Sequence, residues 1–199
     1  MTDIKRNPLL HADIFTLKNV GTEEQRADLL KHVLDHKKTN EESLVASNPG
    51  CWRQRCAYPN MGWLMDALTN LLRSTIKYYS DVDFVFNKLS ETIKKTDIEA
   101  WVNVNSIGAG NTLHSHKGVS FACVYYLQSK DTGNLVFSNP ANILSHDCHT
   151  LSPFVHPKAV VPDDGDLIMW PSWVPHLVEP NMSDKDRINL AFNIRLNEQ

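Results

Sequence analysis

The C-terminal half of the chain holds three histidines and an arginine whose types and spacing could do chemistry. His114 and His116 stand one residue apart in "NTLHSHKGVSFACVYYLQ", just ahead of an apolar run from Val119 to Leu127. His176 closes the bend in "GDLIMWPSWVPHLVEP", and Arg187 heads "RINLAFNIRL", eleven positions further on. In a strand, residues two apart project to the same side, so His114 and His116 can reach one point. Imidazole nitrogen suits zinc, copper, iron and nickel, and a facial set of three protein ligands leaves positions on the metal for other ligands. Each residue alone has a plainer reading: a polar turn, a half-buried hydrogen-bonded His176, a solvated strand-end Arg187. Only their order and spacing together point to a site.

Holding such residues together requires strands, and from Asp97 onward the texture is β. Short apolar or alternating runs recur ("IEAWVNVNSI", "VSFACVYYLQ", "NLVFS", "FVHPKAVV", "DLIMW", "HLVEP", "RINLAFNIRL"), with Gly/Asn/Asp clusters such as "GAGN" and "PDDGD" between them. This pattern predicts an antiparallel sandwich or barrel rather than a parallel α/β sheet. Before about residue 96 the period is helical. "TEEQRADLLKHVLDHKK" opens with Thr22 and Gln25 at capping-box spacing and sets Ala27, Leu30, Val33 and Leu34 on one face. "MGWLMDALTNLLRSTIKYY" aligns Leu64, Leu68, Leu71, Leu72 and Ile76, and "FVFNKLSETIKK" fits a shorter helix or a strand. "SNPGCWRQRCAYPN" is rich in turn formers and is expected to be a loop. The expected fold is α+β, one domain over residues 1–199, with a jelly-roll core (97–199) braced by N-terminal helices (1–96).

Composition narrows the function classes. With 42% hydrophobic residues, 22% charged residues and a formal net charge of -3, nothing in the bulk charge favours nucleic acid or membrane. No apolar run reaches membrane-span length, and the N-terminus lacks the features of a secretory signal. Cys51, Cys56, Cys123 and Cys148 form no CxxC pair, so reduced thiols in a cytoplasmic, intracellular protein are expected, and "NMS" at Asn181 carries no weight as a glycosylation signal.

From Trp101 to Leu196 the chain resembles the iron(II)- and 2-oxoglutarate-dependent dioxygenases. Their pattern is His-x-Asp at a strand end, a distal His, and an Arg about ten residues later on the next strand. Prolyl-hydroxylase-like members look similar around "HSHKGVSFACVYYLQ", "GNLVFSNP" and "GDLIMWPSWVPHLVEP". The whole chain, with "WVN" and "SNPGCWRQR", looks closer still to a branch of bacterial and phage oxygenases that carries His-x-His. The resemblance implies a double-stranded β-helix, cupin-like core, with Fe(II) as metal and 2-oxoglutarate as cosubstrate. Position by position, His114 matches the first metal ligand, His176 the distal ligand, and Arg187 the arginine that pairs with the far carboxylate of 2-oxoglutarate. Tyr126 matches a cosubstrate-contacting position, with Tyr125 on the opposite face by alternation, and Asn189 shares the face of Arg187. Asn103 and Asn105 share a face that either lines the pocket or hydrogen-bonds at its edge; Trp170 and Trp173 either shape the pocket mouth or pack on the helices.

His116 departs from the pattern, standing where the family has a carboxylate. As a ligand it would leave Fe(II) one unit more positive, which a dianionic cosubstrate can balance. Neutral donors equally fit zinc or copper, and a third reading has His116 turned away with water in its place. Asp163, Asp164 and Asp166 in "PDDGD" look like turn residues, not substitutes for the missing carboxylate, and His146 and His149 look like exposed loop residues. The implied function is hydroxylation of an unidentified substrate (peptide, nucleobase or small molecule) with dioxygen, releasing succinate and CO2. The alternatives are a jelly-roll protein that binds metal or a partner without turnover, and a zinc enzyme acting through bound water. Arg187 favours the dioxygenase, because the other two have no use for a cosubstrate anchor.

Overall fold

The structure, a computed structural model, describes residues 12–40, 50–82, 87, 93–138 and 157–198. The elements run β1 (Phe15–Leu17), α1 (Glu23–Thr39), β2 (Cys51–Arg55), α2 (Gly62–Val82), β3 (Ile93–Asn105), β4 (Asn111–His114), β5 (Phe121–Gln128), β6 (Leu135–Phe137), β7 (Lys158–Val160), β8 (Leu167–Pro171), β9 (His176–Val178) and β10 (Arg187–Glu198). They form a six-stranded sheet, β1-β8-β5-β10-β3-β2, and a four-stranded sheet, β4-β9-β6-β7, with every recorded pairing antiparallel. Two antiparallel sheets linked in this order make the jelly roll that the turn-punctuated runs predict.

Strand alternation sorts the larger sheet into two faces. Phe121, Cys123, Tyr125 and Leu127 of β5, Leu167 and Met169 of β8, Val102 and Val104 of β3, and Ile188, Leu190, Phe192 and Ile194 of β10 join a core with Leu29, Val33, Leu64, Leu68, Leu71, Leu72 and Tyr79 of the helices. The opposite face turns toward the smaller sheet. There Ala122, Val124, Tyr126, Ile168 and Trp170 meet Leu135, Phe137 and Val174 in a second apolar cluster. On β3 and β10 that inward face is instead polar: Asn103, Asn105, Arg187 and Asn189 are all buried.

Helix α2 buries Leu64, Leu68, Leu71 and Leu72 as its period predicts, with Ile76 partly buried beside them. At the start of α1, Thr22 and Gln25 form the reciprocal capping box. The buried face of α1 differs from the expected one. Leu29 and Val33 point into the core, Leu30 lies at its margin, and Ala27 and Leu34 are exposed. Polar side chains set this orientation, a factor that an apolar count ignores. Arg26 Nη1 donates to Gly21 O (2.6 Å), His36 Nδ1 meets the Tyr58 hydroxyl (2.8 Å) and Lys37 pairs with Asp186 (3.2 Å).

"SNPGCWRQRCAYPN" is a second correction, because Cys51–Arg55 within it is strand β2, paired with β3 from Cys51↔Asn105 to Arg55↔Trp101. Turn formers flank the segment, but β3 supplies a hydrogen-bonding edge and Trp52 is buried in the helix-side core. The N-terminal portion thus adds both edge strands, β1 and β2, to the larger sheet. Most of "FVFNKLSETIKK" lies outside the described residues, and its end, from Ile93, begins β3. Cys51, Cys56 and Cys123 are free thiols, as expected; Cys148, His146 and His149 lie outside the described residues. No helix of the described residues is long and apolar enough to cross a membrane.

Two substitutions in α1 check this packing. Leu29→Ala should cost about 2–5 kcal/mol in urea unfolding, because it leaves a cavity against the sheet. Leu34→Ala should change stability by about 0.5 kcal/mol or less. Equal losses would return the buried face to the one read from the apolar spacing.

Candidate metal centre

Pairing of β4 with β9 sets His114 directly opposite His176, at the last residue of one strand and the first of the other. His116 follows in the next loop, which is tied down where His116 N donates to Ser172 O (2.9 Å). One nitrogen from each ring lies within 4.8 Å of the others, and the ring centroids are 4.4 to 5.2 Å apart. Residues remote in sequence have converged, as the strand reading required.

The second nitrogen of each ring decides what the first can do. His114 Nδ1 lies 2.6 Å from Thr112 O, His176 Nδ1 3.0 Å from Val174 O, and His116 Nδ1 2.6 Å from the amide oxygen of Asn193. Oxygens of this kind only accept, so each Nδ1 carries the proton and each Nε2 keeps its lone pair. The His116 Nε2 atom is fully buried and has no hydrogen-bond partner. Burial lowers the pKa of His116 and lowers that of His176 from 6.5 to about 3, so both rings are neutral at neutral pH. Trp170 packs edge-on against His176 (4.8 Å) and Trp101 stacks on His116 (6.4 Å), which fixes the ring planes. Three imidazoles with convergent nitrogens can hold a transition-metal ion.

Beside the histidines lies a cavity of about 250 Å³. Val124, Leu135, Trp170 and Val178 make its apolar wall, and Asn103, Tyr126, Asn189 and Asn193 its polar one. Tyr126 faces this cavity, while Tyr125 faces the helices and donates its hydroxyl to Val20 O (2.9 Å). Burial pushes the Tyr126 phenol up, so it remains a protonated donor. Asn103 Nδ2 donates to Asn189 Oδ1 (2.9 Å), locking two wall residues together. Asn105 is buried but does not line the cavity; its backbone oxygen accepts from Asn181.

Arg187 occupies the inward position of β10 beyond Asn189, on the side away from Asn193 and the histidines, and its side chain is fully buried. It is not among the residues lining the cavity wall. Its Nη1 donates to Thr132 O (2.5 Å) and Glu179 O (3.1 Å), and Nη2 makes a long contact to Ala109 O (3.4 Å). A Cβ on Gly133 would fall 3.3 Å from Nη1 and 2.9 Å from Glu179 O, so this approach needs glycine. The Nε atom is buried without a partner, and no carboxylate of the described residues pairs with the guanidinium. Nε is thus left with an unshared N–H, enclosed by protein. A buried cation left without an anion carries a large desolvation penalty, which an anionic ligand would relieve.

Several expectations change. Trp170 lines the cavity and Trp173 is 42% exposed, so neither packs on the helices. Asp163, Asp164 and Asp166 serve the turn, as expected: Asp166 pairs with Lys18 (2.7 Å) and accepts from Asp163 N, while Asp164 accepts from Ser129 N. Asn193, Trp101, Arg53 and Lys117 also border the cavity, beyond the residues that the sequence pattern marks. Asn193 was within reach, since alternation from Arg187 through Asn189 and Ala191 leads to it. Arg53 was not, because β2 read as a loop.

Residues 99–193, just under half of the chain, match a family described as "Putative 2OG-Fe(II) oxygenase". No curated protein matches in sequence. Among solved structures, the chain is similar to a Pseudomonas putida prolyl-4-hydroxylase (TM-score 0.61, 16% identity, 92% of each chain covered). It is also similar to a Trichoplax adhaerens prolyl hydroxylase in complex with a hypoxia inducible factor oxygen degradation domain peptide (TM-score 0.61, 16% identity, 92% and 83% covered). A third is HygX from Streptomyces hygroscopicus, with nickel, 2-oxoglutarate and hygromycin B bound (TM-score 0.54, 10% identity, 92% and 83% covered).

The tethered rings make two predictions. Asn193→Ala should weaken Co(II) binding by about 10- to 100-fold in a spectrophotometric titration, because His116 loses the acceptor that fixes its tautomer. The second concerns acid. The unfolded chain protonates His176 below about 6.5, whereas the folded, metal-free chain resists until about 3. Stability is thus lost as pH falls through this interval and unaffected above it. In urea unfolding, His176→Gln should flatten that slope.

Proposed function

We propose that this chain, whose residues 99–193 match the 2OG-Fe(II) oxygenase family, is a hydroxylating dioxygenase with a three-histidine metal centre. The observation that carries the reading is a pair of complementary vacant donors. Nitrogen lone pairs converge at one end of the inward sheet face, and a buried guanidinium whose Nε has no partner lies further along β10. His114, His116 and His176 would hold Fe(II) through Nε2, and Arg187 would receive the far carboxylate of 2-oxoglutarate on its Nε and Nη2 atoms. When bound, the iron and 2-oxoglutarate supply the oxidising chemistry that turns substrate, dioxygen and cosubstrate into hydroxylated product, succinate and CO2.

The chain's own residues supply position and charge. Histidine in place of the family's carboxylate leaves the metal dipositive, and a dianionic cosubstrate balances that charge. Arg187 in turn offsets the distal carboxylate, with a fork that lysine lacks. Tyr126, protonated and facing the cavity, can donate to a cosubstrate oxygen, and the Asn103–Asn189 pair keeps the neighbouring wall rigid. Val124, Leu135 and Trp170 exclude water from the metal side. A zinc centre acting through bound water would leave the unpartnered Nε of Arg187 without a use.

The test is anaerobic titration of Fe(II)-loaded protein with 2-oxoglutarate, following the visible metal-to-ligand charge-transfer band. The band should appear in the wild type. It should be lost in His176→Ala, and half-saturation should rise roughly 30-fold or more in Arg187→Ala, a loss of ~2 kcal/mol or more. Arg187→Lys, which keeps the charge without the fork, should also weaken binding. His116→Asp should retain the band and His116→Ala should lower iron affinity. Full iron affinity in His116→Ala would remove His116 from the ligand set.

A further inference from the structure

We infer, on the reading of this cavity as an oxygenase centre, that the Asn105 amide is a second anchor for the cosubstrate's far carboxylate, donating through Nδ2 beside Arg187. Asn105 and Arg187 stand directly opposite one another in the antiparallel register of β3 and β10, and both side chains are fully buried. Residues paired in this way have neighbouring side chains on one face of the sheet. Each carries a buried donor with no partner, Nδ2 of Asn105 and Nε of Arg187. Bare N–H groups in an interior are unfavourable, and two on neighbouring side chains call for an acceptor that reaches both.

The surroundings indicate what that acceptor is. Asn105 Oδ1 lies 3.4 Å from the thiol of Cys51, its opposite number on β2, which directs Nδ2 away from Cys51. The Asn189 oxygen already accepts from Asn103. Nη1 and Nη2 of Arg187 are spent on the carbonyls of Thr132, Glu179 and Ala109, so Nε is the group left over. The row Cys51–Asn105–Arg187 is the next inward row of the sheet after the one in which Asn103, Asn189 and Tyr126 line the cavity. Tyr126 connects the two: burial raises its pKa, and the Arg187 guanidinium is near enough to act against that rise. The missing acceptor thus belongs to the tail of a ligand whose head lies in the cavity. A carboxylate offers two oxygens, one for each donor, and the negative charge that the guanidinium lacks. A water molecule would take the N–H groups but leave the cation uncompensated.

The experiment uses the full chain with Fe(II), without oxygen, and compares 2-oxoglutarate with 2-oxobutyrate, which has the same keto acid head but no far carboxylate. Binding is read from the charge-transfer band and from protection against thermal unfolding. Asn105→Ala should bind 2-oxoglutarate roughly tenfold more weakly than wild type, as expected for a lost hydrogen bond to a charged group. Toward 2-oxobutyrate, and toward Fe(II) itself, the two proteins should not differ. In an Arg187→Ala background, Asn105→Ala should still weaken 2-oxoglutarate by about threefold or more, because the amide meets the carboxylate itself. Asn105→Asp keeps the shape, removes the N–H donors and sets an anion against Arg187. It should lose 2-oxoglutarate more severely still, and it carries the test if Asn105→Ala does not fold. Wild-type affinity for 2-oxoglutarate in either variant, or an equal loss for both keto acids, would overturn the inference. So would the absence of any further loss in the Arg187→Ala background, which would make Asn105 a prop for the guanidinium. A wild-type chain that shows no band sinks the oxygenase reading instead. Thermal unfolding of the metal-free chain in glutarate, a dicarboxylate without the keto group, then decides on Asn105: stabilisation of wild type should fall by half or more in Asn105→Ala, and equal stabilisation refutes the amide's role.

Discussion

The two-residue period of β10 is the constraint on which the rest depends. One parity, Ile188, Leu190, Phe192 and Ile194, is locked into the helix-side core. The other parity, Arg187, Asn189, Ala191 and Asn193, is thereby forced inward. A slip of one residue would bury the asparagines and arginine among leucines and expose the apolar set, so the register is strongly specified. The helices therefore matter to the site although they touch none of it. By covering one face of the sheet they fix which side chains face the three histidines.

The polar inward face is tolerated because its groups are engaged or have a ligand to engage. Asn103 and Asn189 bond to each other, Asn193 holds His116, and Arg187 is spread over three backbone carbonyls. What is left over is small: imidazole lone pairs at one end, and Arg187 Nε and Asn105 Nδ2 at the other. Unmet valences of this kind inside a folded chain mark a binding site more sharply than an apolar hollow does, because leaving them bare is unfavourable.

Much of the architecture was legible because it rests on local pattern. Turn clusters separate the strands, and the capping box and leucine spacing mark the helices. The histidines and Arg187 could be placed because strand geometry limits where they point. What escaped depended on tertiary context. Helix α1 turned its Leu29–Val33 line inward because Arg26, His36 and Lys37 found partners at its flanks. Strand β2 escaped because five residues between turn formers become a strand only when β3 offers an edge. With β2 went Arg53, which no local signal distinguishes from a solvated loop cation. Asn193 escaped for another reason: its role as acceptor for a ring nitrogen exists only once β10 and the His116 loop meet.

Strand β2 is the outermost strand of its sheet, hydrogen-bonded to β3 alone. The three histidines sit on β4, the loop beyond it and β9, and Arg187 on β10, none of them a neighbour of β2. A margin of this kind can be rewritten with little disturbance to the interior: replacing a border residue perturbs one ladder rather than two. The three-histidine cluster and this outer strand thus belong to separate parts of the fold. Related chains could vary along this fringe while inheriting the same histidine cluster.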